Sequence, residues 1–461
     1  MKKIIFIVLV LLFITSCTNK GCNKEEYSLM HTGILNYYLD DNSVESLKDI
    51  KLKITKKGKE TILPLSHKDI KVENFKFNEV GEFNAIVTYN NESIKLKYKV
   101  SIRKWDKSVN TTWYDETKDT FEIANASDLA GLSKLVNEGN TFSGKTVKLK
   151  YDIDLNNEPW NPIGTSGVGK FGELINVFSG TFDGNNKTIY NLKYKATHET
   201  RGEHIKEETS YYHFGLFGYV KNATFKNIFI SDVTILNGMG NNFVRSLQGT
   251  GSLIGHSSGE LNIDNVKVSG KVIINGEYKV GGLVGSISGT NCIIKNITIS
   301  GSDGSIISGT DEEYKDTNNF GAVVGFISNE NTTFENITTN INVSGFTSGG
   351  VIGNVSEGVC SIKNAKVYGT ISNSEGSTAG GFIGGRFATL NLTDCYLLGS
   401  VTAKDKSYAD VTVSNYGIKE SKITINNVYY IKENIDHEFI HNTLNASGVS
   451  KEEINELISK K

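Results

Sequence analysis

A glycine phrase recurs six times between Phe214 and Val401 and constrains the fold more than any other feature. Each phrase places two apolar residues between glycines, and an asparagine follows about ten residues later. The second glycines of the six phrases are Gly218, Gly255, Gly285, Gly325, Gly353 and Gly384. Successive phrases are therefore 37, 30, 40, 28 and 31 residues apart. A shared period near 30 with variable length predicts stacked units that carry loop insertions.

The apolar runs within each unit predict short strands. They are four to six residues long and rich in β-branched side chains, without helical periodicity. Units of 28 residues are too short for a four-stranded propeller blade, whereas one coil of a parallel β-helix fits. The 47 glycines and 3 prolines agree with this fold. Glycine permits close backbone approach at corners, and proline would remove a donor from the ladder.

The recurring asparagine predicts a second regular feature of the coils. It stands at Asn227, Asn265, Asn296, Asn336 and Asn364, and Asp394 replaces it in the sixth phrase. Asparagine tolerates the left-handed conformation that a corner needs. Stacked asparagine side chains can also hydrogen-bond along the axis. We therefore expect an asparagine ladder at one corner of the solenoid.

The phrase resembles the GLUG motif of bacterial surface and secreted proteins. Residues 160–164 (WNPIG) and 178–192 are similar to the lead-in that such proteins carry, so the resemblance extends over about 121–401. Ser252 and Ala322 replace the first glycine of their phrases, which loosens the motif. The resemblance implies surface association and adhesion-like roles. It implies no agreed activity or ligand.

The N-terminus resembles the signal peptide and lipobox of bacterial lipoproteins. Lys2 and Lys3 precede an apolar run over 4–14, which is too short to span a bilayer, and Thr15-Ser16-Cys17 follows. The resemblance implies a signal peptide over 1–16 and a lipid, such as palmitate, on Cys17, with a polar tether over 17–30. Thr18 favours the outer membrane if the cell has one. The alternative is a secretory signal with a chance cysteine.

The segment 31–104 alternates apolar and polar residues, as half-buried strands do. Ile50, Leu52 and Ile54 alternate with lysines, and Asn90-Asn91 can form a tight hairpin turn. Val80-Gly81-Glu82-Phe83 is similar to part of bacterial immunoglobulin-like domains. We predict a small sandwich without a disulfide, acting as a spacer, with a binding role as the alternative.

A helix is predicted over 121–140, with Ser127 as its N-cap and Gly139 as its stop. The predicted fold is all-β: a right-handed parallel β-helix over 141–432 with this helix as its N-terminal cap, after the immunoglobulin-like sandwich. A C-terminal cap is expected over 433–461, where Ser450 and Glu453 form a capping-box pattern.

One motif points to chemistry. His437-Glu438-Phe439-Ile440-His441 matches the H-E-x-x-H pattern, in which two histidines bind zinc and the glutamate acts as general base. Only 20 residues follow it, and Leu444 and Ser447 stand where an extended motif needs glycine and histidine. A terminal cap is the favoured interpretation, so we assign no metal, with His437 and His441 as the candidates if one binds.

Other candidate sites are structural by sequence. The residues that precede the ladder carry mixed charges, which predicts a solvated outer face: Lys226, Asp264, Lys295, Glu335, Lys363 and Thr393. Asp183 lies in a predicted turn. Cys292 and Cys360 occupy equivalent positions two coils apart, too far for a disulfide, and with Cys395 we expect them to be buried thiols.

The formal net charge of −2 argues against nucleic-acid binding. Insertions over 196–212 and 303–319 are candidate contact surfaces, with Tyr211, Tyr212 and His213 in the first. We predict a monomeric, lipid-anchored surface protein that binds an extracellular glycan or protein, without catalytic residues or cofactor, and not an enzyme. The alternatives are a polysaccharide lyase or glycoside hydrolase and, more distantly, a zinc peptidase.

Overall fold

The computed structural model describes residues 25–31, 35–41, 43–169, 172–195, 209–211, 213–237, 249–309, 318–386, 388–403, 409–414, 422–435 and 446–460. The chain divides into two compact units, Met1–Arg103 and Lys104–Lys461. Each unit is described separately below.

The first unit contains two small sheets. Its elements are β1 (Glu26–Met30), β2 (Asn36–Tyr38), α1 (Ser43–Ser46), β3 (Lys51–Lys56), β4 (Lys59–Pro64), β5 (Lys71–Glu73), β6 (Gly81–Tyr89) and β7 (Glu92–Ser101). The first sheet has the order β1-β3-β4 and the second β2-β7-β6-β5. All pairings are antiparallel except β2 with β7.

The period-two pattern of this unit is confirmed by burial. Leu52 and Ile54 on β3 are buried, as are Leu96 and Tyr98 on β7, while the intervening lysines are partly or fully exposed. Asn90 and Asn91 adopt positive φ angles of 48° and 64° and connect β6 to β7. This is the tight hairpin turn that the sequence predicts.

The second unit begins with a strand and then a helix. The segment predicted as one helix divides into β8 (Thr120–Ile123) and α2 (Ala126–Asn137). The N-cap is Asn125, whose side chain accepts a hydrogen bond from the Asp128 amide, so the assignment of Ser127 is wrong. Local capping patterns fit both residues; β8 pairs with the next strand and thereby fixes where the helix begins.

The helix α2 covers the start of a solenoid. Its residues Leu129, Leu132 and Val136 are fully buried in the same core as the coils. A side chain at Gly131 would lie 1.9 Å from the carbonyl oxygen of Asn110, so the backbone of residue 110 packs directly on the helix. The helix therefore shields the apolar end of the first coil from solvent.

The second unit is a parallel β-helix. After β8 its strands are β9 (Thr146–Leu149), β10 (Ile153–Asp154), β11 (Thr165–Gly169), β12 (Gly172–Asn176), β13 (Thr181–Lys195), β14 (Thr209–Tyr211), β15 (His213–Phe214), β16 (Phe217–Asn237), β17 (Gly249–Thr250), β18 (Ile254–Gly276), β19 (Lys279–Gly281), β20 (Val284–Ser300), β21 (Ile306–Gly309), β22 (Asn319–Gly321), β23 (Val324–Asn340), β24 (Asn342–Gly349), β25 (Ile352–Val355), β26 (Val359–Val367), β27 (Thr370–Gly380), β28 (Ile383–Arg386), β29 (Thr389–Leu397), β30 (Ser400–Thr402), β31 (Ala409–Asp410), β32 (Ile423–Ile431) and β33 (Ser447–Val449). Twenty-three of the strands form one sheet that winds around an apolar core. A separate three-stranded antiparallel sheet has the order β12-β11-β14.

The repeated glycines allow the backbones of neighbouring segments to pack closely. A side chain on Gly255 would lie 2.5 Å from the Phe214 amide nitrogen, and one on Gly285 would lie 2.2 Å from the Thr250 amide nitrogen. None of the six second glycines has a positive φ angle. Glycine is required at these corners because there is no room for a Cβ atom, rather than for its conformational freedom.

The asparagine ladder is present as predicted. Its members have φ angles between 52° and 57°: Asn227, Asn265, Asn296, Asn336, Asn364, Asp394 and Asn427. The Asn336 side chain donates to Asn296 Oδ1 at 2.9 Å and accepts from Asn364 Nδ2 at 2.8 Å. Asp394 keeps the conformation and accepts from Asn427 Nδ2 at 3.0 Å.

A further coil escapes the glycine pattern. Gly380 pairs with Asp410, and Ile383 pairs with Val413, so residues 410–414 (DVTVS) repeat the phrase without any glycine. Asn427 belongs to the same coil. The sequence analysis missed this coil because Val411 and Ser414 stand at the two glycine positions of the phrase.

The described C-terminal residues pack against the last coil. A 3₁₀ turn (Lys432–Asn434) follows β32, and helix α3 (Lys451–Ser459) follows β33. The capping box of Ser450 and Glu453 is present. Ile454 of α3 is fully buried in a small cluster with Tyr396 and Ile431.

Candidate functional site

Two rows of side chains flank the glycine phrase on the outside of the coils. Phe214 and Val220 point into the core, so their neighbours His213 and Tyr219 face outward. Strand register extends each of these positions along the axis. One row is Tyr219, His256, Ser286, Phe326 and Asn354. The other row is His213, Gly249, Lys279, Asn319 and Thr347. We call the two rows together the corner band.

Aromatic contacts join the first coils of the corner band. The rings of His213 and His256 stack with centroids 4.7 Å apart, and Tyr219 lies 5.6 Å from His213 and 5.1 Å from His256. His256 Nδ1 lies 2.8 Å from the Ser286 hydroxyl, and its Nε2 lies 3.2 Å from the Ser288 hydroxyl. Side chains from three successive coils therefore form one hydrogen-bonded and stacked group.

The corner band also contains a positively charged side chain, that of Lys279. The Lys279 ammonium lies 4.6 Å from the centroid of the Phe326 ring, a cation–π contact. The Lys279 side chain is half-buried. None of the described carboxylates forms an ion pair with it. The band therefore holds a partly desolvated positive charge that the described residues do not neutralise.

Burial shifts the pKa values of three side chains in the corner band. Burial, with the neighbouring charge of Lys279, lowers the pKa of His256 to about 4. Burial also lowers the pKa of His213 well below its ordinary range. Burial lowers the pKa of Lys279 as well. Both imidazoles are therefore neutral at neutral pH and can act as hydrogen-bonding groups.

A second outer surface, which we call the ladder face, consists of the asparagine ladder and the charged residue before each of its members. Strand register places opposite charges next to each other through eight successive positions: Glu122, Lys148, Asp183, Lys226, Asp264, Lys295, Glu335 and Lys363. Lys295 lies 3.3 Å from Asp264, and Lys363 lies 3.7 Å from Glu335. The mixed charges of the sequence are thus a regular alternation in which neighbouring coils pair.

Asp183, Cys292 and Cys360 have structural surroundings. Asp183 Oδ1 accepts hydrogen bonds from the Asn185 amide and from Asn227 Nδ2. Cys292 and Cys360 are buried thiols outside any disulfide, on either side of Thr332 in one strand row, and Cys395 is buried too. Burial raises the pKa of Cys292 and Cys360 to about 12, which keeps these thiols protonated and unreactive.

Other predicted site residues lie outside the described residues. These are Cys17, Tyr212, His437, Glu438 and His441. Among the described residues, no group of three or more His, Cys, Asp and Glu side chains is arranged to hold a metal ion. None of the helices in the described part of the chain has the length and apolar character that crossing a bilayer requires.

The predicted insertions differ from what the structure describes. His213 is buried in the corner band rather than exposed in a loop. Residues 306–309 form β21 within the predicted second insertion, and residues 196–208, 238–248 and 310–317 lie outside the described residues. The strand ends before these three segments lie at neighbouring register positions, as Lys195 pairs with Leu236, and Asn237 and Gly309 both pair with Gly276. The residues after the insertions return to the row that contains His213 and Lys279.

Sequence reasoning missed the corner band, although a signal was present. The residue after the second glycine of each phrase is Tyr219, His256, Ser286, Phe326, Asn354 or Gly385. Three of these six are ring-bearing, which is unusual for a solvated outer position. Neither row of the band contains a carboxylate. The paired carboxylates that a glycoside hydrolase needs are therefore absent from the band.

Comparisons with known proteins support the fold. No family model matches the chain, and no curated protein matches it. The chain is similar to a solved structure named IgA1 Protease, with a TM-score of 0.50 and 19% identity over 90% of this chain and 29% of that chain. It is also similar to a Bacteroides ovatus crystal structure, described provisionally as an immunoglobulin A1 protease, with a TM-score of 0.35 and 18% identity over 75% and 88% of the two chains.

These similarities concern the fold, and the chain spans less than a third of the length of the first structure. The resemblance to the GLUG motif stays an interpretation of the sequence, since no family model matches. The expectation that the chain is not an enzyme is wrong as drawn. It relied on the poor context of the H-E-x-x-H motif and on a structural interpretation of the other candidate residues, whereas a chain with a similar fold is named as a protease.

Proposed function

We propose that this chain is a lipid-anchored cell-surface protein that binds an extracellular ligand, a glycan or a matrix protein, through the corner band. The observation that carries the proposal is the composition of the band. It places Tyr219, His256, Lys279 and Phe326, all half-buried, in two adjoining rows on successive coils. Aromatic rings with a few polar groups are typical of ligand sites.

The geometry of the coils favours binding to an extended ligand. Successive coils repeat about every 4.8 Å along the axis, so the band presents side chains at fixed spacing. Each coil is held by its strand ladder, so the band needs little ordering when a ligand binds. The strands that flank residues 196–208, 238–248 and 310–317 end and resume next to the same corner, and insertions on one side of a solenoid often contribute to binding.

Attachment of the proposed surface protein depends on Cys17. Its place after Thr15 and Ser16 resembles a lipobox, and the apolar run before it has signal-peptide length. Two or three acyl chains would hold the protein stably at a membrane. We expect metabolic labelling with a palmitate analogue to modify the natural chain and to leave Cys17→Ala unlabelled.

A binding screen tests the main proposal. The full chain in mild detergent is presented to a glycan array and to immobilised fibronectin, laminin and collagen. We expect binding to at least one class, and we expect Phe326→Ala to weaken it. The matched control is Ile293→Ala, which removes an apolar side chain of 47% exposure two residues before Lys295 of the ladder face. Equal binding by both variants, or no binding by the natural chain, would contradict the proposal.

A zinc peptidase is the second candidate. It is favoured by the His437-Glu438-x-x-His441 motif together with the name of the solved structure that shares the fold. The two histidines would bind Zn²⁺, and Glu438 would activate water as general base. We expect stoichiometric zinc in the purified chain and its loss in His441→Ala, if this candidate holds.

A proteolysis assay tests whether the chain is a zinc peptidase. Human IgA1, IgA2 and casein are incubated with the full chain and with Glu438→Gln, which keeps the proposed zinc ligands. Cleavage by the natural chain alone supports a peptidase. Absence of both zinc and cleavage overturns it and leaves the binding proposal in place.

A further inference from the structure

The unpaired charge in the corner band defines a ligand class. We propose that the site around Lys279 binds an anionic group, a carboxylate or a sulfate, on an extracellular glycan. The inference rests on the proposed binding function and adds to it the site and the chemistry of the ligand.

Lys279 differs from the lysines of the ladder face. Lys295 and Lys363 each have a carboxylate partner on a neighbouring coil. Lys279 instead lies over the Phe326 ring, and none of the described carboxylates forms an ion pair with it. Holding a half-buried ammonium without a counter-charge costs stability. A ligand anion would provide that counter-charge at the same place.

The neighbours of Lys279 provide hydrogen bonds for an anion. His256 contacts the hydroxyls of Ser286 and Ser288, and the Tyr219 hydroxyl lies 3.1 Å from that of Ser258. His256 is neutral at neutral pH because burial lowers its pKa, and the hydroxyls can turn toward an acceptor. The rows contain no carboxylate that would repel an anion. The chemistry of the site therefore favours anions.

The backbone of the corner band favours a sugar over an extended peptide. Strands β17, β19 and β22 each pair with a neighbour on both sides. Their backbone groups are therefore used, and a peptide cannot add to them as another strand. Aromatic faces and hydroxyls remain for recognition, and these groups suit the apolar faces and hydroxyls of a sugar ring.

The test measures binding of defined oligosaccharides to the full chain in mild detergent. The probes are hyaluronan oligosaccharides, which carry only carboxylates, keratan sulfate oligosaccharides, which carry only sulfates, and neutral N-acetylchitohexaose. The variant is Lys279→Met, which keeps the length of the side chain and removes its charge. The matched control is Lys295→Met, which removes a paired lysine from the ladder face. Circular dichroism confirms that both variants remain folded.

We expect one or both anionic probes to bind better than the neutral probe. We expect Lys279→Met to bind at least about tenfold more weakly and Lys295→Met to bind as the natural chain does. Added salt should weaken the binding. The probe that binds identifies carboxylate or sulfate as the recognised group.

Equal affinity of Lys279→Met and the natural chain for an anionic probe would overturn the assignment of the site. Equal affinity for neutral and anionic probes would overturn the ligand class while leaving the proposed binding function intact. Binding to matrix proteins with no affinity for any glycan would also overturn this inference alone. Failure to bind any glycan or matrix protein would overturn the proposed function itself.

Discussion

The ladder face and the corner band lie on the same coils but are built differently. On the ladder face most coils place an asparagine at the same corner, and opposite charges pair between neighbouring coils as far as Lys363. In the corner band the residue type changes from coil to coil, and Lys279 has no carboxylate partner among the described residues. The first surface satisfies its own polar groups and maintains the stacking. The second surface carries a positive charge, on Lys279, that none of the described carboxylates pairs with.

The largest loss of stability is expected from substitutions of the glycines beneath the corner band. Replacing Gly285 by alanine would place a Cβ atom 2.2 Å from the Thr250 amide nitrogen and 2.5 Å from the Gly255 carbonyl oxygen. We expect a loss of about 4 kcal/mol or more in the free energy of unfolding, because backbone on two coils must move. Urea denaturation measures the loss.

The control for this glycine is Gly304→Ala. Gly304 has a φ angle of 75°, and its nearest neighbour would be the Lys271 ammonium at 3.8 Å. It should cost only about 1 kcal/mol, from the left-handed backbone alone. Equal losses of stability in Gly285→Ala and Gly304→Ala would show that glycine is not required by close packing at the corner.

Lowering the pH should destabilise the fold through the two histidines of the corner band. The folded state holds the pKa of His256 at about 4 and lowers that of His213, while both are near 6.5 when unfolded. Between pH 6.5 and 4 the unfolded chain therefore binds more protons than the folded one. The free energy of unfolding should fall as the pH falls through this window, by about 3 kcal/mol for His256.

Thermal unfolding at a series of pH values measures this acid effect. His256→Gln keeps a polar side chain that does not titrate, so its stability should change less between pH 6.5 and pH 4. An unchanged pH profile in this variant would show that His256 is not shielded in the folded state.

The asparagine ladder should be the next most sensitive feature. Asn336→Ala loses two side-chain hydrogen bonds and places alanine at a φ angle of 57°. We expect a loss of about 2 kcal/mol. Asn336→Gly loses the same hydrogen bonds but tolerates the backbone, so it should be less destabilised. Urea denaturation of the pair separates the two effects, and equal losses would mean that conformation contributes nothing.

The charges of the ladder face should matter least. Glu335→Lys would place three lysines in consecutive coils, between Lys295 and Lys363. Because these side chains are partly exposed, we expect a loss of at most about 1 kcal/mol, smaller at high salt. Glu335→Gln should lose less. A loss independent of salt would show that charge alternation does not stabilise the register.

The sequence predicts most of the repeat but little of the corner band. Glycine and asparagine at a fixed period predict the coils, because each is required by backbone geometry in every unit. The coil at 410–414 was missed because it keeps the register without the glycines. The N-cap at Asn125 was missed because pairing of β8 decides where the helix begins.

The band was missed for a different physical reason. His213 and His256 are 43 positions apart in the sequence, and their stacking depends on two coils and on an insertion of unpredicted length. Lys279 looks like any surface lysine until strand register places it beside Phe326. Long-range contacts of this kind leave no periodic trace in one sequence.

The strands end and resume at equivalent register positions around the predicted insertions, and this has an evolutionary consequence. Because the strands resume at register-equivalent residues, loop length is uncoupled from the stacking of the coils. A gene for such a chain could exchange, lengthen or delete one loop while the scaffold stays intact. The same solenoid could thus vary its loops one coil at a time while the strand register of its core stays unchanged.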